Sequence, residues 1–348
     1  MKFRLPQVPA TLWTVLLALL AAWLLLWHDG SQAADAALGE QSRALQRAQQ
    51  SVLGVQTVAV DEARSAGTLG KARQGSGVLI SHDGLVLTIG YLVLEADRVE
   101  LLRDDGRPVP ARVVGYDVAT GFGLLQALAP LGLEPAPLGR ADRLADQVPL
   151  MVASGGGDGA VSVAELVARR PFSGYWEYHI DGALFTAPPR RDHSGAGLFN
   201  AAGELVGIGS LVVADATGSS PGPRRSGNMF VPVDLLPPIL AELRQQGFGA
   251  ASQRAWLGLN CVEIEGRIRV VRVTDDSPAD VAGLEVGDRI LRIDGTDVQT
   301  LAGLWQTLWA GGAPERPVQL LIERADQRQT LQVHSVDRMK TLRRSQGI

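Results

Sequence analysis

The sequence predicts a mainly β protein with two folded units behind an apolar N-terminal segment. Between residues 52 and 233, short apolar runs alternate with Gly, Asp and Pro turns, which is typical of an all-β barrel or sandwich. Between residues 255 and 337, strand-like and helical runs alternate, which predicts an α+β unit. A chain of 348 residues with 46% hydrophobic residues and 40 glycines is long enough for two such units and has many potential turns.

The N-terminal segment predicts a transmembrane helix. Lys2 and Arg4 precede an uncharged apolar run over residues 8–27, which has about the 20 residues that a helix needs to cross a bilayer. Basic residues stay in the cytoplasm, so we expect a single-pass bacterial inner-membrane protein with most of its chain in the periplasm. Alternatively, residues 31–33 resemble a signal-peptide cleavage site, which would give a soluble periplasmic protein. Residues 1–30 are thus an anchor or a signal segment, and the long apolar run favours the anchor.

Three local patterns follow this segment. Residues 31–51 are rich in Ala, Gln, Glu and Arg and predict a helical stalk or a solvated linker. Asp83-Gly84 lies between two strand-like runs and predicts a hairpin, because glycine adopts positive φ at low cost. Leucines and an isoleucine recur at helical spacing over residues 234–246, and Gly247 is a stop signal. This pattern predicts a helix that closes the first unit.

The second unit has four strand-like runs, at residues 268–273, 289–293, 318–322 and 330–333. Between them the sequence predicts a short helix over residues 278–282 and a longer one over residues 301–310.

Composition excludes some functions. A net charge of −4 does not indicate nucleic-acid binding, so no nucleic-acid partner is expected. Cys261 is the single cysteine and has no partner in this chain for a disulfide. We predict neither a cofactor nor a metal ion.

Two groups of motifs carry a family resemblance. "GSGVLISHDGLVLT", "VVGYDVATGFGLL", "LGRADRLADQV" and "HSGAGLFNAAGELVGIGS" resemble the HtrA/Deg trypsin-like proteases in order and spacing. "RAWLGL" and "VTDDSPADVAGLEVGDRILRIDG" resemble the PDZ domain that follows such proteases. The resemblance implies a chymotrypsin-like double β-barrel over residues 52–248, a PDZ domain over 249–338 and a tail over 339–348.

At the catalytic positions this sequence departs from the family. Ser194 occupies the nucleophile position, Tyr91 stands where the family has histidine, and Gly121 stands where it has aspartate. Serine hydrolysis needs a base within reach of the hydroxyl and a group that orients the base. A neutral tyrosine is a poor base at physiological pH. In the oxyanion region, Asp192 places a carboxylate beside the expected site of negative charge, and His193 directly precedes the serine.

The resemblance assigns peptide binding to the second unit. Trp256, Leu257, Gly258 and Leu259 match the carboxylate-binding loop of PDZ domains, in which backbone amides capture a peptide's C-terminal carboxylate. Leu304 and Leu308 on the longer predicted helix are candidates for the wall of the groove, or for core residues.

These observations predict a membrane-tethered pseudoprotease that acts through its PDZ domain as a peptide-binding scaffold or adaptor. Protein C-termini and extended peptides are the expected partners, with homo-oligomers or an active HtrA protease as further candidates. Two alternatives stay open. One is an active serine endopeptidase in envelope protein quality control that uses a non-standard base, and the other is a periplasmic holdase chaperone.

Overall fold

The computed structural model describes residues 38–156, 159–218 and 223–343. Among these residues no helix is long and apolar enough to span a membrane. The predicted transmembrane segment lies outside the described residues, as do residues 31–37 of the predicted stalk.

Two closed β-barrels form the first unit, so the expectation of a barrel or sandwich resolves to a double barrel. The first barrel closes in the order β1-β2-β3-β6-β5-β4, with β1 Val52–Ala59, β2 Ala72–Leu79, β3 Leu85–Ile89, β4 Ala96–Leu102, β5 Pro108–Tyr116 and β6 Phe122–Ala127. The second closes in the order β10-β11-β12-β9-β8-β7, with β7 Pro149–Ala153, β8 Val161–Ser173, β9 His179–Ala187, β10 Gly197–Phe199, β11 Leu205–Val213 and β12 Gly227–Pro232. Asp83-Gly84 forms the predicted hairpin turn between β2 and β3, with Gly84 at a φ of 85°.

Apolar side chains fill both barrels. Leu87, Leu124 and Phe122 are fully buried in the first barrel, and Phe199 and Phe230 are fully buried in the second. Each such side chain stabilises the fold by about 1.5–3 kcal/mol relative to exposure. The first barrel also carries the short helices α2 (Ala66–Leu69) and α3 (Gly90–Val93), and α3 follows β3 directly.

The stalk prediction can be compared with the structure over residues 38–50, which form the helix α1. Ala44 and Ala48 are buried on this helix. A side chain added at Gly203 would meet the carbonyl oxygen of Ala44 at 2.5 Å, so the helix packs closely on the loop between β10 and β11. This part of the stalk therefore lies against the second barrel.

The helix predicted over residues 234–246 is shorter than expected. Residues Val233–Leu235 form one 3₁₀ turn, and the α-helix α4 covers only Leu240–Gln246. Pro237 and Pro238 lie between them, and a proline removes a backbone donor and disfavours helix in the residue before it. Gly247 ends α4 at a φ of 88°, as the stop signal predicts.

The second unit is the predicted α+β domain. Its main sheet has the order β14-β15-β16-β18-β19, and β13 pairs with β20. The predicted strands are confirmed to within a few residues. The elements are β13 Ala255–Trp256, β14 Leu259–Ile264, β15 Arg267–Val273, α5 Pro278–Val281, β16 Arg289–Ile293, β17 Thr296–Asp297, α6 Leu301–Ala310, β18 Pro317–Arg324, β19 Gln327–His334 and β20 Val336–Asp337.

Both helices of this unit begin with a capping side chain. Ser277 accepts a hydrogen bond from the Asp280 amide before α5, and Thr300 accepts one from the Gly303 amide before α6. Serine and threonine satisfy helix amides that have no partner within the helix, which fixes where each helix starts.

Candidate active site and peptide groove

Tyr91 and Ser194 meet between the two barrels. Tyr91 lies on α3, and Ser194 lies in the turn that precedes β10. The Tyr91 hydroxyl oxygen is 2.8 Å from Ser194 Oγ and 2.8 Å from the carbonyl oxygen of Ser210. A carbonyl oxygen can only accept, so Tyr91 donates its single hydroxyl proton to Ser210 and accepts the proton of Ser194. The hydroxyl proton of Ser194 is thus hydrogen-bonded to the phenol oxygen of Tyr91, which already carries a proton.

The protonation of Tyr91 follows from its surroundings. Burial raises the pKa of Tyr91 to about 12, although the hydrogen bond from Ser194 acts in the opposite direction. The phenol is therefore neutral at physiological pH. A neutral phenol does not remove the proton of a serine hydroxyl, so the geometry leaves Ser194 without a base at this position.

The resemblance assigns the aspartate position to Gly121, and the Tyr178 ring lies close to this residue. Its φ is 84°, in the left-handed region that favours glycine. A Cβ at this position would lie 3.0 Å from the Tyr178 hydroxyl oxygen. Tyr178 is buried and donates to the carbonyl oxygen of Thr120 at 2.7 Å. The position therefore resists an aspartate on both backbone and steric grounds.

Asp192 is paired with Arg190 of its own loop and with Ser154, which follows β7. Arg190 Nε donates to its carboxylate at 3.0 Å, and Ser154 Oγ donates at 2.5 Å. Burial favours the neutral acid, but these hydrogen bonds and the charge of Arg190 outweigh burial and lower the pKa of Asp192. The carboxylate expected to oppose an oxyanion is therefore ionised but compensated by Arg190.

His193 is held by the backbone of the same loop. Its Nδ1 lies 3.0 Å from the carbonyl oxygen of Arg191 and 3.2 Å from that of Arg190. Since carbonyl oxygens accept, Nδ1 carries the proton and anchors the ring to the loop.

The predicted carboxylate-binding loop holds a carboxylate from the first unit. The amides of Leu257 and Leu259 each donate to the Glu177 side chain at 3.1 Å, and the amide of Gly258 donates at 2.7 Å. Gly258 has a φ of 88°, and a Cβ there would approach Ser277 Cβ to 2.3 Å. The sequence predicted an amide cluster in this loop, but it gave no indication that Glu177 would bind there.

The other predicted peptide-binding residues lie beside this loop or inside the domain. Trp256 precedes the loop and lies under the Arg338 guanidinium, 4.7 Å from the ring centroid. Leu304 and Leu308 are 1% and 0% exposed and belong to the core of the second unit. Their role as a groove wall stays a prediction. Trp305, which sequence reasoning missed, reaches the first unit by donating from Nε1 to the carbonyl oxygen of Gly174 at 3.1 Å.

A cavity of about 430 Å³ joins the two sites. Its lining includes Tyr91 and His193 from the serine site, and also Trp176, Gly258 and Arg338. In the described part of the chain, no group of three His, Cys, Asp or Glu side chains is placed to hold a metal ion. Burial raises the pKa of the Cys261 thiol, which keeps it protonated.

Comparisons with known proteins agree with this geometry. The family model "Trypsin-like peptidase domain" matches residues 75–208, and the model "PDZ domain" matches residues 255–334. A probable periplasmic serine endoprotease DegP-like of Ectopseudomonas mendocina (strain ymp) is 28% identical over 278 residues, covering 74% of this chain and 55% of the relative. Serine endoprotease DegS of Haemophilus influenzae is 28% identical over 238 residues, covering 63% of this chain and 64% of the relative.

Solved structures show the same fold. The HtrA-type protease AlgW with decapeptide has a TM-score of 0.52 and 21% identity, covering 86% of this chain and 98% of that chain. The serine endoprotease from Yersinia pestis has a TM-score of 0.51 and 22% identity, covering 85% of this chain and 97% of that chain. The chain spans about half the length of the curated DegP-like relatives that it matches, between 49% and 58% for three of them.

The structure thus contains a trypsin-like domain, formed by the two barrels with the serine turn between them. This domain is joined to a PDZ domain that carries the amide loop. This chain belongs to the HtrA family.

Proposed function

We propose that this protein is a membrane-tethered periplasmic pseudoprotease that serves as a peptide-binding scaffold through its PDZ domain. The contact between Tyr91 and Ser194 is the observation that carries the proposal. Their oxygens are 2.8 Å apart, and Tyr91 remains protonated up to a pH of about 12. Ser194 is therefore paired with a neutral hydroxyl that does not take up its proton at physiological pH.

The acid position supports the same conclusion. An aspartate orients a catalytic histidine and stabilises its protonated form, but Gly121 has no side chain, and a Cβ there would lie 3.0 Å from the Tyr178 hydroxyl oxygen. Without a working triad, binding and the oxyanion site leave a residual acceleration of roughly 10³–10⁴-fold over water. Arg190 compensates Asp192, but it supplies no base.

Peptide binding is supported by the second unit. The amides of Leu257, Gly258 and Leu259 converge on one carboxylate, which is how PDZ domains bind the C-terminus of a peptide. Related HtrA-type structures contain a decapeptide or a tripeptide. Relatives named as periplasmic endoproteases support a periplasmic location, and the apolar run over residues 8–27 supports the tether.

The test compares hydrolysis by the wild type and by Ser194→Ala, with casein and a fluorogenic peptide library as substrates. A DegP-like relative is the positive control, and circular dichroism checks that the variant is folded. We expect both forms to give the same background rate. Turnover in the wild type that Ser194→Ala abolishes would overturn the pseudoprotease proposal and favour an active endopeptidase.

A further inference from the structure

The connection between β8 and β9 lies along the edge of the PDZ sheet. Trp176 forms an antiparallel bridge with Asn260 on β14, and the Cys261 amide donates to the carbonyl oxygen of Tyr175 at 2.6 Å. This is the backbone pairing by which an extended peptide adds to a sheet edge. Residues 174–177, which we name the internal segment, therefore occupy a strand position of the groove.

The end of the internal segment is held by its carboxylate. Glu177 is 7% exposed, and its side chain accepts from the amides of Leu257, Gly258 and Leu259. A C-terminal peptide offers such a loop a main-chain carboxylate at the end of a paired strand. Glu177 offers a side-chain carboxylate at the corresponding end, although the main chain continues to Tyr178.

The opposite wall of the groove also contacts this region of the first unit. Trp305 on α6 donates from its indole to the carbonyl oxygen of Gly174 at 3.1 Å. Gln306 Nε2 lies 3.0 Å from the Nε2 of His179, two residues beyond Glu177. The internal segment is thus paired with β14 on one side, held by α6 on the other and capped at its acidic end.

We propose that residues 174–177 are an internal ligand that closes the PDZ groove, with the Glu177 side chain in place of a peptide's C-terminal carboxylate. The proposal rests on the proposed peptide-binding function. The external partner that it implies is a peptide with a free C-terminal carboxylate, because such a group replaces all the bonds that the loop amides make to Glu177. Binding then displaces the internal segment.

When the carboxylate of a peptide replaces that of Glu177, one carboxylate returns to water and another is buried, so their desolvation costs offset each other. Burial raises the pKa of Glu177 even though three amides donate to it, so the docked side chain carries a desolvation cost. Displacement returns Glu177 to water and removes that cost, while the incoming carboxylate takes over the amides. The hydrogen bonds of the loop are conserved in this exchange.

The internal segment also lines the cavity beside Tyr91. The Trp176 ring stacks on Tyr178 with centroids 5.5 Å apart and an interplanar angle of 17°. Tyr175, Trp176 and Tyr178 all line the cavity beside Tyr91. Displacement therefore moves one wall of that cavity.

The experiment measures binding of a fluorescein-labelled peptide, Phe-Ser-Gly-Tyr-Trp-Glu with a free C-terminus, to the full chain by fluorescence anisotropy. The same peptide with an amidated C-terminus is the control ligand. We compare the wild type with Glu177→Ala, and with Glu40→Ala as a matched control, because Glu40 is exposed on α1. Glu177→Gln keeps the shape of the side chain and guards against misfolding in the alanine variant.

An internal competitor leaves the groove open in only a fraction of the molecules. Removing it raises the apparent affinity for the peptide by a factor equal to one divided by that fraction. We expect Glu177→Ala to bind the free-carboxylate peptide at least about tenfold more tightly than the wild type or Glu40→Ala, with a smaller gain for Glu177→Gln. The amidated peptide gains nothing. In the wild type, saturating peptide raises the hydrogen-exchange rate of amides in residues 174–178.

Two other results separate the two proposals. Equal affinity of the wild type and both Glu177 variants, with unchanged exchange in residues 174–178, overturns the internal ligand and leaves the peptide-binding function standing. Absence of binding in the wild type and in both folded Glu177 variants overturns the peptide-binding function itself.

Discussion

Under the proposed assignment, replacing Tyr91 by histidine supplies the base that the family has at this position, and we expect it to restore little activity. The imidazole would lie near Ser194, but Gly121 has no side chain to fix its tautomer or stabilise its protonated form. Loss of that orientation in an otherwise intact triad lowers kcat by about 10⁴-fold. We therefore expect Tyr91→His to remain about 10⁴-fold below an active HtrA protease.

Adding the aspartate does not repair the site either. A residue other than glycine at a φ of 84° costs about 1–2 kcal/mol. Its Cβ would also lie 3.0 Å from the Tyr178 hydroxyl oxygen, so the ring must move before a carboxylate fits. The double variant Tyr91→His/Gly121→Asp is expected to be less stable than Tyr91→His and not appreciably faster.

The assay is hydrolysis of fluorogenic peptides by Tyr91→His and by the double variant. Each rate is corrected by the same protein carrying Ser194→Ala. A DegP-like relative provides the reference rate. A Tyr91→His rate within tenfold of that reference would refute the reasoning, because it would require an orienting group other than residue 121.

Two further predictions concern stability. The pKa of Tyr91 is raised from 10.0 to about 12, so its protonated state stabilises the fold fully below pH 10 and this contribution is lost as the pH rises through 12. In urea unfolding, the stability of the wild type relative to Tyr91→Phe should fall by at most about 3 kcal/mol over that range, and a constant difference would contradict the assignment. Arg254 donates to the carbonyl oxygens of Val118 at 3.0 Å and Glu177 at 3.3 Å, and it lies 3.8 Å from the ring centroid of Trp309. Arg254→Ala should therefore lower the free energy of unfolding by about 2–4 kcal/mol, and a change below about 0.5 kcal/mol would count against this contact.

The sequence predicted those features that depend on local pattern. Strand spacing and turn glycines indicated the β architecture. The motif frame assigned Ser194, Tyr91 and Gly121 to the catalytic positions, and two of these residues, Tyr91 and Ser194, are in contact. Pro237 and Pro238 are a sequence signal for the break before α4. The helical spacing of leucines masked that signal.

What the sequence did not reveal depends on contacts between distant segments. Glu177 lies some 80 residues before the amides that bind it, and nothing in the pattern of the β8–β9 connection indicates a ligand. The side chains of α6 could not be assigned from the sequence for the same reason. Helical spacing selects Leu304 and Leu308 equally for a core or a groove, whereas the contact of Trp305 with Gly174 appears only when both units are folded together.

The cavity beside Tyr91 and the PDZ groove have a wall in common, the internal segment. A molecule that fits the cavity while this wall is in place stabilises the docked state, and a peptide in the groove requires the undocked state. By thermodynamic linkage, each ligand must then weaken the other's binding by the same factor. A compound that occupies the cavity beside Tyr91 would thus act as a negative effector of peptide capture in the PDZ groove.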